Sequence, residues 1–187
     1  MSTLITSAGV LPYTYSGRGE PLFLMGQESA FTGWKDSQKW SDFGGRALNK
    51  HESPEDIASR EFYEETAGVI FDKSEIRDLL LNKRYIGVYD YEIGENKVYR
   101  TYLVRIAYKD YCEQFARTYL YLLSRQLDAK RILEKRELRW ISFSQLKAAV
   151  EEIPGKYSRP LQLRERFKNW ISLNLDDIAK TIGFTPQ

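Results

Sequence analysis

Glu61, Glu64 and Glu65 stand at i, i+3 and i+4 in the segment "SREFYEET". On a helix that spacing puts three carboxylates on one face, about 6 Å apart at the Cβ level. Like charges so close destabilise one another and raise one another's pKa unless a cation shares the face. Arg60 is adjacent and can form a fork with one carboxylate, but one guanidinium cannot balance three. A divalent, oxygen-seeking cation can, because Mg²⁺ or Mn²⁺ takes carboxylates together with substrate phosphate oxygens and waters. The alternative is a solvated acidic helix face that binds nothing.

The element that would carry these residues has a clear start. Ser53 is a cap, Pro54 suits the first helical position, and Glu55 and Asp56 place acid in the first turn. Ile57, Ala58, Phe62 and Ala67 supply the apolar face, and Gly68 closes the helix in a left-handed conformation. Upstream, "KWSDFGG" reads as a strand ending in paired glycines, and "TSAGVLPYTY" and "PLFLMGQE" as a hairpin around "SGRGE". Downstream, "NKRYIGVYDYE" and "NKVYRTYLVRIAY" read as strands about the turn "IGENK". A helical segment from about Tyr111 to Arg131 follows, then a strand "RELRWISF", a helix "SQLKAAVEEI" and a C-terminal helix "LQLRERFKNWISLNL". This mixed order predicts an α/β or α+β chain with helices packed on a sheet.

The residues around the carboxylates extend the pattern. Glycines end a strand, Glu52 follows in the loop, and seven residues later comes "REFYEE". The segment 44–69 resembles the Nudix box, with Glu52, Arg60, Glu61, Phe62, Glu64 and Glu65 in register. Six residues rather than five separate Gly45 from Glu52, and two rather than one separate Glu65 from Gly68. The resemblance implies a Nudix-like α/β/α sandwich with a mixed sheet between helices, as one domain over residues 1–187. The helical stretch near 110–135 is then an insertion, placed to shape substrate choice or a homodimer contact.

The resemblance implies a function: a Mg²⁺- or Mn²⁺-dependent pyrophosphohydrolase that cleaves a nucleoside diphosphate linked to another group, by attack of water at phosphorus. Glu61, Glu64 and Glu65 are its expected metal ligands, joined by the Gly45 carbonyl. Arg60 is expected to orient a carboxylate, and Glu52 shares the loop whose extra residue bears on the Gly45 contact. The general base is Glu61 or an outside carboxylate: Glu134 or Glu137 before the late strand, or Glu113 in the insertion. His51, beside Glu52, reads as a turn residue.

Substrate contacts are thinly marked. Trp34, Trp40, Tyr13 and Tyr15 are candidate stacking platforms, each weighed against core or surface packing. Tyr85, counted from Val69, matches the downstream tyrosine of dinucleoside polyphosphate hydrolases, while the proline markers of the ADP-ribose and NADH hydrolases are missing. Lys156, Arg159, Arg164, Arg166 and Lys168 form a basic run that keeps capped RNA, and so mRNA decapping, as an alternative to a solvated helix. A further alternative is a Nudix-like nucleotide sensor with weak catalysis.

Composition narrows the classes. With 187 residues, 42% of them apolar, the chain can bury a sizeable core. Its 28 basic against 26 acidic residues leave bulk charge too balanced to demand a nucleic-acid partner. One cysteine, Cys112, excludes an internal disulfide and a multi-cysteine zinc site, and the single His51 excludes a histidine-rich centre. The absence of a basic leader before an apolar core predicts a soluble, cytoplasmic protein without a membrane partner.

Overall fold

The computed structural model describes residues 4–30, 33–125, 133–153 and 161–186. Seven strands form one mixed sheet: β1 (Leu4–Tyr15), β2 (Pro21–Glu28), β3 (Trp40–Ser41), β4 (Phe43–Arg46), β5 (Gly87–Gly94), β6 (Lys97–Arg105) and β7 (Lys135–Ser142). Among the described residues five helices accompany them: α1 (Pro54–Glu65), α2 (Lys73–Leu81), α3 (Tyr111–Ser124), α4 (Phe143–Val150) and α5 (Glu165–Thr181). Along the sheet the order is β3-β2-β1-β6-β5, with β4 paired to β1 and β7 to β2.

β1 organises the sheet because its two halves have different partners on one edge. Tyr13–Tyr15 pair antiparallel with β2, whereas Ser7–Val10 pair antiparallel with β4. The other edge runs parallel to β6 from Leu4 to Tyr13, with one irregularity between Ile5 and Ser7. β1 and β2 therefore diverge, and β3 and β4 fill the gap between them. Alternation along β1 assigns the faces: Ala8 and Val10 join a core with α1, α2 and α3, while Leu11 and Tyr13 join one with α4 and α5. The result is the expected α/β/α sandwich with a mixed sheet.

α1 starts as its sequence dictates, with Ser53 accepting from the Asp56 amide and Pro54 in the first turn. Ile57, Ala58 and Phe62 are fully buried. Phe62 meets Phe43 of β4 edge to face at 5.5 Å between centroids, a favoured aromatic geometry. The residue inserted after Glu65 changes only the exit: Ala67 and Gly68 both take positive φ, and the Gly68 amide donates to the Tyr63 carbonyl.

Two stretches differ from expectation. Residues 73–81, not anticipated as a helix, form α2 behind a reciprocal cap between Asp72 and Glu75. The strand expected from Asn82 starts only at Gly87, since Asn82 ends α2 and Lys83 turns through positive φ. α3 occupies the expected insertion as far as Ser124, leaving Leu120, Tyr121 and Leu123 exposed; the rest of the helix expected to about Arg131 lies, from residue 126 on, outside the described residues.

Gly9 and Gly44 face each other across β1 and β4 with almost no space between them. A Cβ on Gly44 would sit 2.5 Å from the Gly9 Cα and 2.2 Å from the Tyr99 hydroxyl. The backbone contact cannot be relieved by a rotamer change. Gly44→Ala is expected to lower the urea midpoint markedly, whereas Gly17→Ala, in open space, should leave it unchanged. Equal midpoints for the two variants would contradict this packing.

Candidate active site

Arg60 is the hub on the α1 face. Its guanidinium binds Glu52 through Nε (2.8 Å) and Nη2 (3.3 Å), Glu61 through Nη1 (2.7 Å) and the Arg46 carbonyl through Nη2 (2.9 Å). Glu64, one turn on, lies 3.5 Å from the same Nη1. Glu52 closes the loop from the other side, its Oε2 accepting the Leu48 amide at 2.7 Å. The loop that is one residue longer thus still returns Glu52 to Arg60. The Glu61 carboxylate lies so close to Gly45 that a Cβ there would fall 2.3 Å from Oε1.

Charge on this face is unbalanced. Burial raises the Glu61 pKa, and the nearby Glu64 and Glu52 carboxylates add to the effect against the pull of Arg60. Glu134 behaves alike: burial raises it, followed by the fields of Glu61, Glu28 and Glu64, with Lys135 opposing. Its sensitivity to Glu61 and Glu64 puts Glu134 within electrostatic reach of the α1 face.

Glu65 turns the other way, into the protein. Only 2% exposed, it accepts the Gly44 amide at 2.8 Å through Oε2, while Oε1 lies 3.4 Å from Nζ of Lys135. Lys135 is completely buried and donates to Glu28 Oε1 (2.6 Å) and Ser41 Oγ (2.8 Å). Burial works against its charge, but Glu65 and Glu28 overcome it and hold the ammonium above the ordinary lysine range. Arg164, at the start of α5, reaches the same Glu28 oxygen at 3.4 Å and Asp36 at 3.2 Å.

Behind β4, on the α5 side, is a cavity of about 200 Å³. Gly44, Gly45 and Arg46 form its floor, Tyr91, Tyr99, Phe167 and Trp170 give aromatic walls, and Arg164 and Arg166 stand beside them. Ser7 Oγ and Trp170 Nε1, both in its lining and both buried, have no hydrogen-bond partner. Asp42 also lines it and accepts from the Tyr99 hydroxyl at 2.9 Å.

The architecture matches solved structures over nearly the whole chain. The Nudix hydrolase RenU of M. smegmatis superposes with a TM-score of 0.53, at 15% identity over 100% of this chain and 93% of that one. The chain has the Nudix fold. The NUDIX domain of Shewanella oneidensis NrtR, crystallised with ADP ribose, gives 0.51 at 12% identity, covering 95% of this chain and 90% of that one. A C. elegans Ap4A hydrolase gives 0.51 at 14% identity over 95% and 98% of the two chains. No family model matches the sequence. The uncharacterized protein L534 of Acanthamoeba polyphaga mimivirus is 46% identical over 65 residues, which are 35% of this chain and 20% of that protein.

On the Nudix fold the expected site residues divide into groups. Glu52, Arg60, Glu61, Glu64 and Gly45 come together, Glu134 lies in their field, and Glu65 faces Lys135. Glu137 instead pairs with Arg139 at 2.6 Å, and Glu113 with Arg117 one turn along the exposed side of α3. His51 is an exposed loop residue. Trp40 is not an open stacking platform: it is a core residue, 4% exposed, with the Arg139 guanidinium 4.8 Å above its ring. Tyr13 is buried in the same core, and the Tyr15 hydroxyl is bound to the Ile182 carbonyl. Tyr85 packs on Tyr102 at 5.2 Å and belongs to the core under α1, away from the cavity lining. Trp34 carries the Arg164 guanidinium 5.6 Å over its ring.

The basic run does not form one patch. Arg164 and Arg166 reach the cavity, Lys168 pairs with Glu152, and Lys156 and Arg159 lie outside the described residues. Sequence reasoning misses Ser7, Asp42, Arg46, Tyr91, Tyr99 and Trp170. Arg46 and Asp42 flank the paired glycines, which is the available signal; the others are brought in only by the sheet and the helix packed on it.

Among the described residues no three His, Cys, Asp or Glu side chains converge as a closed metal cage. The donors nevertheless fit a hard divalent ion that keeps its waters and uses one or two carboxylates plus phosphate oxygens. Glu61 and Glu64 are all-oxygen donors on one rigid helix, in a region of surplus negative charge. Glu65, engaged with the Gly44 amide and Lys135, is the donor that does not open toward them.

Asp42 supplies a pH test of the cavity. Burial pushes it up to about 6, with Tyr99, Lys135 and Arg164 opposing. Because the folded value lies above the unfolded one, the stability it contributes is full below about pH 4 and lost as pH rises through about 6. Asp42→Asn, which still accepts from Tyr99, is therefore expected to raise the melting temperature by several degrees at about pH 8. At about pH 4 it should change nothing, and a pH-independent difference in thermal melts would refute the assignment.

Proposed function

We propose that the protein is a divalent-metal-dependent pyrophosphohydrolase that cleaves a nucleoside diphosphate linked to another group. The observation that carries this reading is the position of β4. Its Gly44–Gly45–Arg46 segment has the carboxylate face of α1 on one side and the arginine-lined aromatic cavity on the other.

The cavity suits a nucleoside. Tyr91 and Tyr99 are among its aromatic lining, and Arg46, Arg164 and Arg166 suit phosphate oxygens. The ADP ribose held by the NrtR domain supports a nucleotide ligand for this fold. Glu61 and Glu64, with the main chain at Gly45, are the residues that would hold the divalent ion. That ion, when bound, screens the phosphate charge and lowers the pKa of a coordinated water.

Glu134 is the general base in this reading. Its pKa, raised by burial and by the nearby carboxylates, makes it a better proton acceptor than an ordinary carboxylate. The water oxygen forms a bond to phosphorus, its proton passes to the Glu134 carboxylate, and the bridging P–O bond breaks with its electrons to the leaving phosphate. Arg60 keeps Glu52 and Glu61 in place rather than touching substrate.

One observation favours a second reading. Lys135 beside Glu65 removes a box carboxylate from the ion, as expected of a domain that binds a nucleotide without hydrolysing it. A panel of nucleoside diphosphate derivatives and capped RNA, assayed with Mg²⁺ and Mn²⁺, separates these readings. Turnover of a small derivative is expected, with Glu64→Gln lowering kcat by roughly 100-fold or more while circular dichroism stays unchanged. Arg166→Ala is expected to raise KM by about tenfold with kcat largely kept, as a phosphate contact would. Tight binding without turnover would establish the sensor, and cleavage of capped RNA alone would establish decapping.

A further inference from the structure

We infer that the Lys135 ammonium is a built-in cation for Glu65, so that this chain holds its divalent ion on Glu61 and Glu64 while Glu65 serves the protein interior. The inference deepens the proposed hydrolase reading and rests on it for the ion, but not for the role of Lys135.

Three observations lead to it. The first is direction. Glu61 and Glu64 gather at Nη1 of Arg60 with 13% and 22% of their side chains exposed, whereas Glu65, next to Glu64 in the chain, sends its oxygens to the Gly44 amide and Lys135. The second is burial. Glu65 gives one oxygen to the Gly44 amide and aims the other at Nζ of Lys135, with 2% of its surface left to solvent. The third is the lysine. A wholly buried ammonium persists only among acceptors. Lys135 has Glu28 at 2.6 Å, Ser41 at 2.8 Å and Glu65 at 3.4 Å.

A divalent ion bound by Glu65 would have to approach Lys135 in a low-dielectric interior. Two cations there repel strongly, and the lysine cannot withdraw to water because it has no exposed surface. Glu65 lies next to the carboxylates in sequence, but the charge it needs comes from β7. Glu28 and Arg164 continue the same ionic chain to the opposite helical layer.

The test compares single amide substitutions by two readouts. Mn²⁺ binding, measured by electron paramagnetic resonance or calorimetry with a non-hydrolysable diphosphate present, should be kept within about threefold in Glu65→Gln. In Glu61→Gln and Glu64→Gln it should weaken by about tenfold or more. Loss of Mn²⁺ in Glu65→Gln equal to that in Glu64→Gln would overturn the inference.

The second readout is thermal unfolding in EDTA and does not involve the ion. Glu65→Gln leaves Lys135 one carboxylate short and is expected to lower the melting temperature by several degrees; Glu64→Gln, on a partly exposed side chain, should not. Unchanged melting of Glu65→Gln would also overturn the inference, even if the wild type bound no Mn²⁺ and the hydrolase reading itself had failed. Lys135→Met is a companion variant: if it folds, added Mn²⁺ should stabilise it more than wild type, since Glu65 is then free. No extra stabilisation by Mn²⁺ in folded Lys135→Met would count against Lys135 as the substitute cation.

Discussion

The guanidinium of Arg60 is the fixed point around which the α1 face is built. It is 8% exposed, and four acceptors meet it: Glu52 from the loop, Glu61 and Glu64 from the helix, and the Arg46 carbonyl from β4. Removing one partner of such a buried group leaves charge without compensation, which is why the loop between Gly45 and Glu52 has little freedom in where it ends. An additional residue in that loop is tolerated because the constraint acts on Glu52, not on the path taken to reach it. The burial of Phe62 against Phe43 then fixes the distance between helix and strand. Glu61 therefore meets Gly45 as a consequence of packing as much as of charge.

The same economy of charge extends through the sheet. Glu65 of α1, Lys135 of β7, Glu28 of β2 and Arg164 at the head of α5 form one ionic chain from one helical layer to the other. It passes where β1 and β2 diverge, and Ser41 of β3 satisfies the lysine there. Buried ion pairs add little net stability compared with apolar residues of the same volume, because desolvation offsets most of the attraction. What this one does is place groups. It seats Arg164 beside the cavity and holds Glu65 toward Lys135, so the cavity and the carboxylates are set by a common network.

How far the sequence discloses this depends on the range over which each residue is determined. α1 is legible because its signals are local: Ser53, Pro54, the first-turn acids and the Ile57, Ala58, Phe62 stripe all lie within three turns. Arg60 and Glu61 are legible because a helix guarantees their neighbours. α2 escapes because only Ile76 and Leu80 of its nine residues are buried, although Asp72 and Glu75 carry the signature of a reciprocal cap. Lys135 is not legible at all. A lysine at the start of a strand is ordinarily solvated, and only the pairing of β7 with β2 puts it between Glu28 and Glu65. Trp40 misleads in the opposite sense: an aromatic near the glycines suits a stacking role until the sheet buries it.

The cavity is the clearest case of a feature that no local pattern encodes. Ser7, Tyr99 and Tyr91 come from β1, β6 and β5, and share a face only because those strands are neighbours in that order. Gly9 and Gly44 then decide its depth. Because neither carries a side chain, the two backbones close up and the Tyr99 hydroxyl settles over them, within reach of Asp42. A Cβ at either position would meet the facing backbone, so the two strands could not stay this close. The cavity lining and the carboxylate face are thus tied to one glycine crossing.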